Sequence, residues 1–139
     1  MSELSISSTD FKEGGEIPKE CGYKHGNKQP HIDFLNINTA SWAMIMDDPD
    51  AMAAVGKVWV HWLEYSNAFA EYVTEGKNDF GEIGYGGPAP PDGRHTYVFK
   101  LYDLDTDLDL KKGFSKQELE DAMKGHIISE AKLTGTFAS

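Results

Sequence analysis

The residues whose types suit chemistry are Asp48, Asp50, His61, His95 and Tyr97. Asp48 and Asp50 flank Pro49 in a tight acidic turn, and His61 sits in the middle of an apolar run. His95 and Tyr97 are two residues apart, so on a strand their side chains share a face. A carboxylate beside a histidine fixes its tautomer and favours the imidazolium. An imidazolium can hold a phosphate-like group through charge-assisted hydrogen bonds. Just before His95, the stretch Gly84 to Gly93 carries four glycines and three prolines. Glycine allows close backbone approach, proline stiffens, and a concave run of N–H groups attracts anions, so this stretch is expected to form a rigid anion cradle. A histidine among tryptophans is commonly a hydrogen-bonded core residue. Two such histidines, together with the glycine loop and the Asp-Pro-Asp turn, point to a site.

Other chemistries are poorly supported. Asp103 to Asp109 alternates aspartate with other residues, but no register places the glycine and the bidentate glutamate of an EF-hand loop. The five histidines, His25, His31, His61, His95 and His126, contain no helical His-x-x-x-His pair; a zinc site would need about three ligands to converge. There is no Gly-x-Ser-x-Gly elbow, and Cys21, the only cysteine, lies alone in a polar loop without a disulfide partner. No metal or cofactor is expected.

The elements that must position these groups are mostly strands. Val58 to Tyr65 reads as the clearest strand, with Trp59, His61 and Leu63 on one face and Val58, Val60 and Trp62 on the other. Both faces are apolar, which predicts a strand covered on both sides. Ser41 to Met46 and Thr96 to Tyr102 are further buried-strand candidates, the latter with Tyr97, Phe99 and Leu101 aligned. Ile32 to Ile37 and Ile127 to Phe137 complete the strand set. Ala51 to Val55 is a helical turn or an irregular loop; Phe69 to Val73 is a short apolar patch, followed by a polar turn over Thr74 to Asn78. Ser115 and Glu118 form a capping box for a helix with Leu119, Ala122 and Met123 on its apolar stripe, and Gly125 as its stop. Residues 1–10 are a polar lead-in, and residues 11–139 form one domain. Many short strands and little helix predict a β-rich, sandwich-like fold with one or two accessory helices.

The chain has 139 residues and a net charge of −10. That balance argues against nucleic acid and against anionic membranes as partners. No signal peptide and no apolar run of spanning length is visible, so a cytoplasmic protein is expected.

In order and spacing, these motifs resemble the phosphatidylethanolamine-binding protein family in its prokaryotic, Raf-kinase-inhibitor-like branch. The matching stretches are Asp48-Pro49-Asp50, Trp59-Val60-His61-Trp62, Asn78-Asp79-Phe80-Gly81, the Gly84 to Gly93 loop and His95-Thr96-Tyr97. Gly125-His126, Leu133 to Thr136, Ile17-Pro18 and the segment from Asn27 to Pro30 also fit. The resemblance implies an antiparallel β-sandwich with a small pocket for phosphate or phosphorylated head groups such as phosphoethanolamine. Carried over, Asp48, His61, His95 and Tyr97 line that pocket, Gly87 and Pro90 form its wall with Gly86 beside them, Asp50 braces the turn, and Trp59 flanks His61. Three departures stand out: Met52 replaces a usual proline, Thr96 replaces a usual arginine, and the segment after Tyr65 is shortened. The resemblance further implies a non-enzymatic module, a protein partner whose identity is open, and a homodimer as one assembly option. Two other readings remain: a hydrolase using His61 or His95 as general base, and a kinase or protease inhibitor acting through surface loops.

Overall fold

The computed structural model describes residues 3–39, 41–67 and 73–139. In chain order its elements are β1 (Ser5–Ser7), β2 (Gly15–Glu16), β3 (Asp33–Leu35), β4 (Ser41–Asp48), α1 (Ala51–Val55), β5 (Trp59–Asn67), β6 (Thr74–Glu75), β7 (Arg94–Leu104), α2 (Lys116–Met123) and β8 (Ile127–Ala138). A single turn of 3₁₀ helix, Lys19–Cys21, lies in the loop after β2. The main sheet has six strands in the order β2-β8-β7-β4-β5-β6, and β1 pairs with β3 in a separate ribbon. All pairings are antiparallel except β2 with β8, which run parallel. The sheet is therefore mixed where a purely antiparallel one was expected. The chain is mostly β, a single domain with two short α-helices among the described residues.

Two apolar cores flank the main sheet. On one face Met44, Met46, Trp62, Tyr97, Phe99 and Leu101 are covered by Ile6, Phe11, Ile17 and Phe34 from the N-terminal segments. On the other, Ala43, Ile45, Leu63, Tyr65 and Leu104 are covered by Phe114, Leu119 and Met123. Burial of such side chains, at roughly 1.5–3 kcal/mol each, is what holds the covering segments against the sheet. This explains why residues 5–7 do not remain a polar lead-in: Ile6 is buried in the first core, so the segment pairs as β1.

Several expectations shift. Thr74-Glu75 is not a turn but a strand opposite Tyr65 and Glu64. Ala51–Val55 is helical, closed by Gly56 in the left-handed region at φ 78°. The patch Phe69 to Val73 lies, apart from Val73, outside the described residues. The aspartates after β7 are dispersed: Asp103 is buried and accepts bonds from Thr39 and Asn38, while Asp105 faces His126 at 2.8 Å. No helix among the described residues is long and apolar enough to cross a membrane.

The face assignment of β5 is overturned. Met46 pairs with Trp62, but the next residue, Asp47, pairs with Val60, so His61 is an extra residue on β5. Such a bulge breaks the period of two and re-aims a side chain. Val60 and Leu63 consequently share the helix-covered core, and Trp62 enters the opposite one. His61 meets Tyr97 edge-on at 5.1 Å rather than sharing a face with Leu63.

α2 begins as its sequence requires. Ser115 Oγ accepts from the Glu118 amide at 3.0 Å, and the Glu118 carboxylate accepts from the Ser115 amide at 3.1 Å. Ser115→Ala is expected to lower unfolding free energy by about 1 kcal/mol in urea denaturation, because one helix-end amide loses its acceptor.

Candidate functional site

The His61 bulge frees backbone groups that would otherwise pair along the sheet, and the following loop takes them. The Gly86 amide donates to the His61 carbonyl at 2.8 Å, and His61 Nδ1 donates to the Gly86 carbonyl at 2.6 Å. A carbonyl only accepts, so Nδ1 carries the hydrogen and Nε2 is the unprotonated nitrogen. One residue earlier, the Asp79 amide donates to the Val60 carbonyl and the Val60 amide to Asp79 Oδ2. These two reciprocal pairs hold the segment 79–87 along β5, beyond the reach of the two-residue β6.

Burial disfavours charge on His61 and lowers its pKa, against the opposing pull of Asp48 and of its bonds to the loop carbonyls. His95 is in the opposite situation. Its Nδ1 donates to Asp48 Oδ2 at 2.7 Å, and its Nε2 lies 3.2 Å from Asp92 Oδ1. Burial pulls its pKa down, but the bonds to Asp48 and Asp92 and the charge of Asp50 outweigh that, and the net shift is upward. The Asp92 side chain is exposed, so solvent screens its part of the attraction.

Asp48 is held from both sides. Its Oδ1 accepts from the Asp50 amide at 2.9 Å. Asp50 Oδ2 in turn accepts from the Thr96 amide at 2.8 Å, which ties the Asp-Pro-Asp turn to β7. The Tyr97 hydroxyl is sealed and makes no hydrogen bond of normal geometry, although it faces the Asp48 carboxylate and the Ala89 amide; burial and Asp48 raise its pKa.

A cavity of about 210 Å³ opens against Asp48 and His61. Its remaining lining is largely apolar: Trp59, which also carries an indole N–H donor, Phe80, Ala89 and Pro91, with Ala51, Ala54 and Val55 from α1. Among the described residues His61 Nε2 has no hydrogen-bond partner, yet it is not among the sealed unsatisfied atoms, so it reaches the cavity. Phe80 is fixed by stacking on Tyr23 at 3.9 Å and meets Trp59 and His61 edge-on.

The structure thus brings Asp48, Asp50, Trp59, His61, His95 and Tyr97 into one cluster. The amides of Gly84, Gly86 and Gly87 do not form a cradle of free donors. The Gly84 amide donates to Gly76, Gly86 to His61, and Gly87 to Asn27 Oδ1 at 2.7 Å. Glycine is needed at 87 for a different reason: a Cβ there would lie 2.0 Å from the Cys21 carbonyl oxygen. The close approach is between two loops, not between loop and ligand. Pro90 faces a neighbouring groove of about 310 Å³ bordered by Lys24, His25 and Phe137, and the cavity wall is made by Ala89 and Pro91 instead. Of the departures, Thr96 contributes its amide and Met52 is exposed on α1; Arg94, just before His95, points to Glu16 and Thr136, away from the cavity. The other histidines are apart: His31 beside Asp33, His126 beside Asp105, and His25 near Phe137.

Asn78, Asn27, Asp92 and the α1 wall were not assigned roles from sequence. Buried Asn78 accepts from the Phe80 and Glu82 amides and donates to the Gly84 carbonyl. Asn27, at φ 52°, bridges Tyr85 and Gly87. The visible signal was the Asn-Asp-Phe-Gly turn itself, since asparagine side chains commonly bond the backbone two residues on.

A family model described as phosphatidylethanolamine-binding protein matches residues 7–138. A UPF0098 protein of Methanothermobacter thermautotrophicus is 37% identical over 151 aligned positions, covering 96% of this chain and 98% of the relative. The crystal structure of a phosphatidylethanolamine-binding protein homologue from Chlamydia trachomatis superimposes with a TM-score of 0.89 at 32% identity, covering 100% and 99% of the two chains. YbcL of E. coli shares the fold, with a TM-score of 0.86 at 24% identity and 98% of each chain covered.

Two outcomes follow from the geometry. Gly87→Ala is expected to cost on the order of 1–3 kcal/mol in denaturant unfolding, because the clash is with backbone and cannot be relieved by a rotamer change. For His95, the raised folded pKa means that its stabilisation is complete below the free-histidine value of about 6.5 and is lost as pH rises through the folded value. Asp48→Asn should therefore cost more stability at pH 5.5 than at pH 8.5 in parallel denaturations.

Proposed function

The chain belongs to the phosphatidylethanolamine-binding protein family, and we propose that it is a binding module whose cavity captures a phosphate-type anion or phosphorylated head group such as phosphoethanolamine. The observation that carries this reading is the His61 ring, locked at Nδ1 to Gly86 and open on the cavity floor beside Asp48 at Nε2, which accepts from a protonated anion oxygen or, once protonated itself, donates to a charged one. The imidazolium of His95 lies behind Asp48 and offsets its charge. A polar floor under an apolar rim suits a small group that is held at one end and enclosed at the other.

A binding role fits this chemistry better than hydrolysis. The cavity lining contains no hydroxyl or thiol nucleophile. Both nitrogens of His95 face carboxylates, which leaves neither as a general base. The Cys21 thiol is buried and pushed up to about 11 by burial and the nearby Glu20 and Asp10 charges, far from a reactive thiolate. Capture of the anion would then be reported to a protein partner through the mouth of the cavity, where α1 and Pro91 are on the surface.

The test is an NMR titration of the five histidine rings with inorganic phosphate and then phosphoethanolamine. His61 and His95 should shift, and His25, His31 and His126 should stay in place. A His61→Ala/His95→Ala double variant that bound phosphate as well as the unmodified chain would overturn the assignment.

A further inference from the structure

The outer edge of the main sheet is open along part of β8. This strand runs Ile127–Ala138, but β2 pairs with it only at Gly135 and Thr136. The bonds at its far end show which residues turn their backbone outward. The Thr134 amide donates to Glu13 Oε2, the Thr134 carbonyl accepts from Gly14, and the Thr136 carbonyl accepts from Ile17. Thr134 and Thr136 therefore face away from β7, and by the alternation of an antiparallel ladder so do Glu130 and Lys132. Among the described residues the N–H and C=O groups of Glu130 and Lys132 have no hydrogen-bond partner, and both residues are exposed.

The open stretch has two definite ends. At one, Leu104 pairs with Ile127 and Asp103 with Ser129, so Ile128 is a bulge that interrupts the edge. At the other, Glu13 and Gly14 occupy the backbone of Thr134. The window is Ser129 to Leu133, with Ala131 at its centre. An unpaired edge of this kind is a template for a further strand.

The charges along the window select that strand. Lys132 lies directly across from Lys100 on β7, and Glu130 across from Tyr102. With Ala131 these side chains line a groove of about 340 Å³. Lys100 reaches Asp47 at 3.3 Å, whereas neither Glu130 nor Lys132 is in an ion pair among the described residues.

We propose that a second copy of this chain pairs antiparallel along this window, about a two-fold axis through Ala131. In that register Glu130 of each copy faces Lys132 of the other, with an ion pair at each end of the seam. The same residues turn their N–H and C=O outward, so each such pair exchanges both backbone hydrogen bonds. Ser129 faces Leu133, and Ala131 meets its own copy, where a small side chain suits the close approach of a non-hydrogen-bonded pair. Moving the axis by one residue destroys the match. Through Glu130 it sets Glu130 against Glu130, and through Lys132 it sets Lys132 against Lys132. The window is thus self-complementary about one axis, which is what a symmetric dimer requires of its surface. Ile127 and Ile128, 43% and 55% exposed, lie just beyond the window and gain cover from the Thr134 end of the second copy. No residue of β8 lines the cavity at His61, so the dimer and the anion site stand or fall separately.

The experiment is sedimentation velocity on the full chain from about 10 µM to about 1 mM in about 0.15 M salt, where repulsion between chains of charge −10 is screened beyond about 8 Å. The unmodified chain should pass from monomer to dimer across that range. Glu130→Lys and Lys132→Glu each set like charges opposite one another, and each should weaken association by about tenfold or more. The double reversal Glu130→Lys/Lys132→Glu restores opposite charges and should recover the dimer. An equimolar mixture of the two single variants should form a mixed dimer. Circular dichroism checks that each variant is folded. In hydrogen exchange followed by NMR, the Glu130 and Lys132 amides should exchange fast in dilute solution and slow as concentration rises. A chain that stays monomeric at the highest concentration would overturn the inference and leave the edge to a strand of another protein. A dimer that both single reversals leave intact, or one that the double reversal fails to recover, would also overturn it and place any association on another surface or register.

Discussion

The bulge at His61 is the feature on which the rest of the site depends. In a regular ladder His61 would pair with β4 and point with Leu63 toward the helix-covered core. The extra residue turns it toward Tyr97 instead, and it leaves the His61 carbonyl unpaired within the sheet. A buried carbonyl needs a donor, and Gly86 supplies it while accepting from the His61 ring in return. One irregularity in the sheet thereby sets a side-chain direction, a tautomer and the position of a loop.

The loop's own architecture follows from that attachment. Segments 20–28 and 78–91 close over the end of the sheet and satisfy each other rather than a ligand: Asn27 with Tyr85 and Gly87, Tyr85 with the Cys21 carbonyl, Tyr23 with Pro88 and Phe80. Asn78 does the same within its turn. Glycine is required at 87 because two backbones meet there. The consequence is a cavity wall that is preorganised and apolar, with polarity confined to the floor.

Two histidines on the same face of one sheet then acquire opposite properties from their surroundings. His61 is enclosed by Phe80, Tyr97 and a backbone carbonyl, and burial lowers its pKa. His95 lies between two carboxylates, and their attraction exceeds the cost of burial. Asp48 joins the pair: it holds His95 directly and shares the cavity floor with His61.

Much of this protein was determined by local chemistry and was legible in the sequence. The capping box at Ser115 formed as read, and the alternation of Tyr97, Phe99 and Leu101 placed those residues in one core, because each depends on neighbours a few positions away. The order of Asp48, His61, the glycine-proline loop, His95 and Tyr97 likewise indicated which residues would meet. Tertiary structure alone decided the rest. The face of His61 depended on a register shift between two strands, and strict alternation along β5 assigned it to the wrong side. The amides of Gly84, Gly86 and Gly87 looked free in the sequence because their partners, Gly76, His61 and Asn27, become neighbours only on folding. The short β1 was hidden for the same reason: Ile6 gains its burial from a sheet formed by residues far along the chain. A charge state, a hydrogen-bond partner and a side-chain direction are properties of surroundings, and surroundings assembled from distant segments are not written in any one stretch.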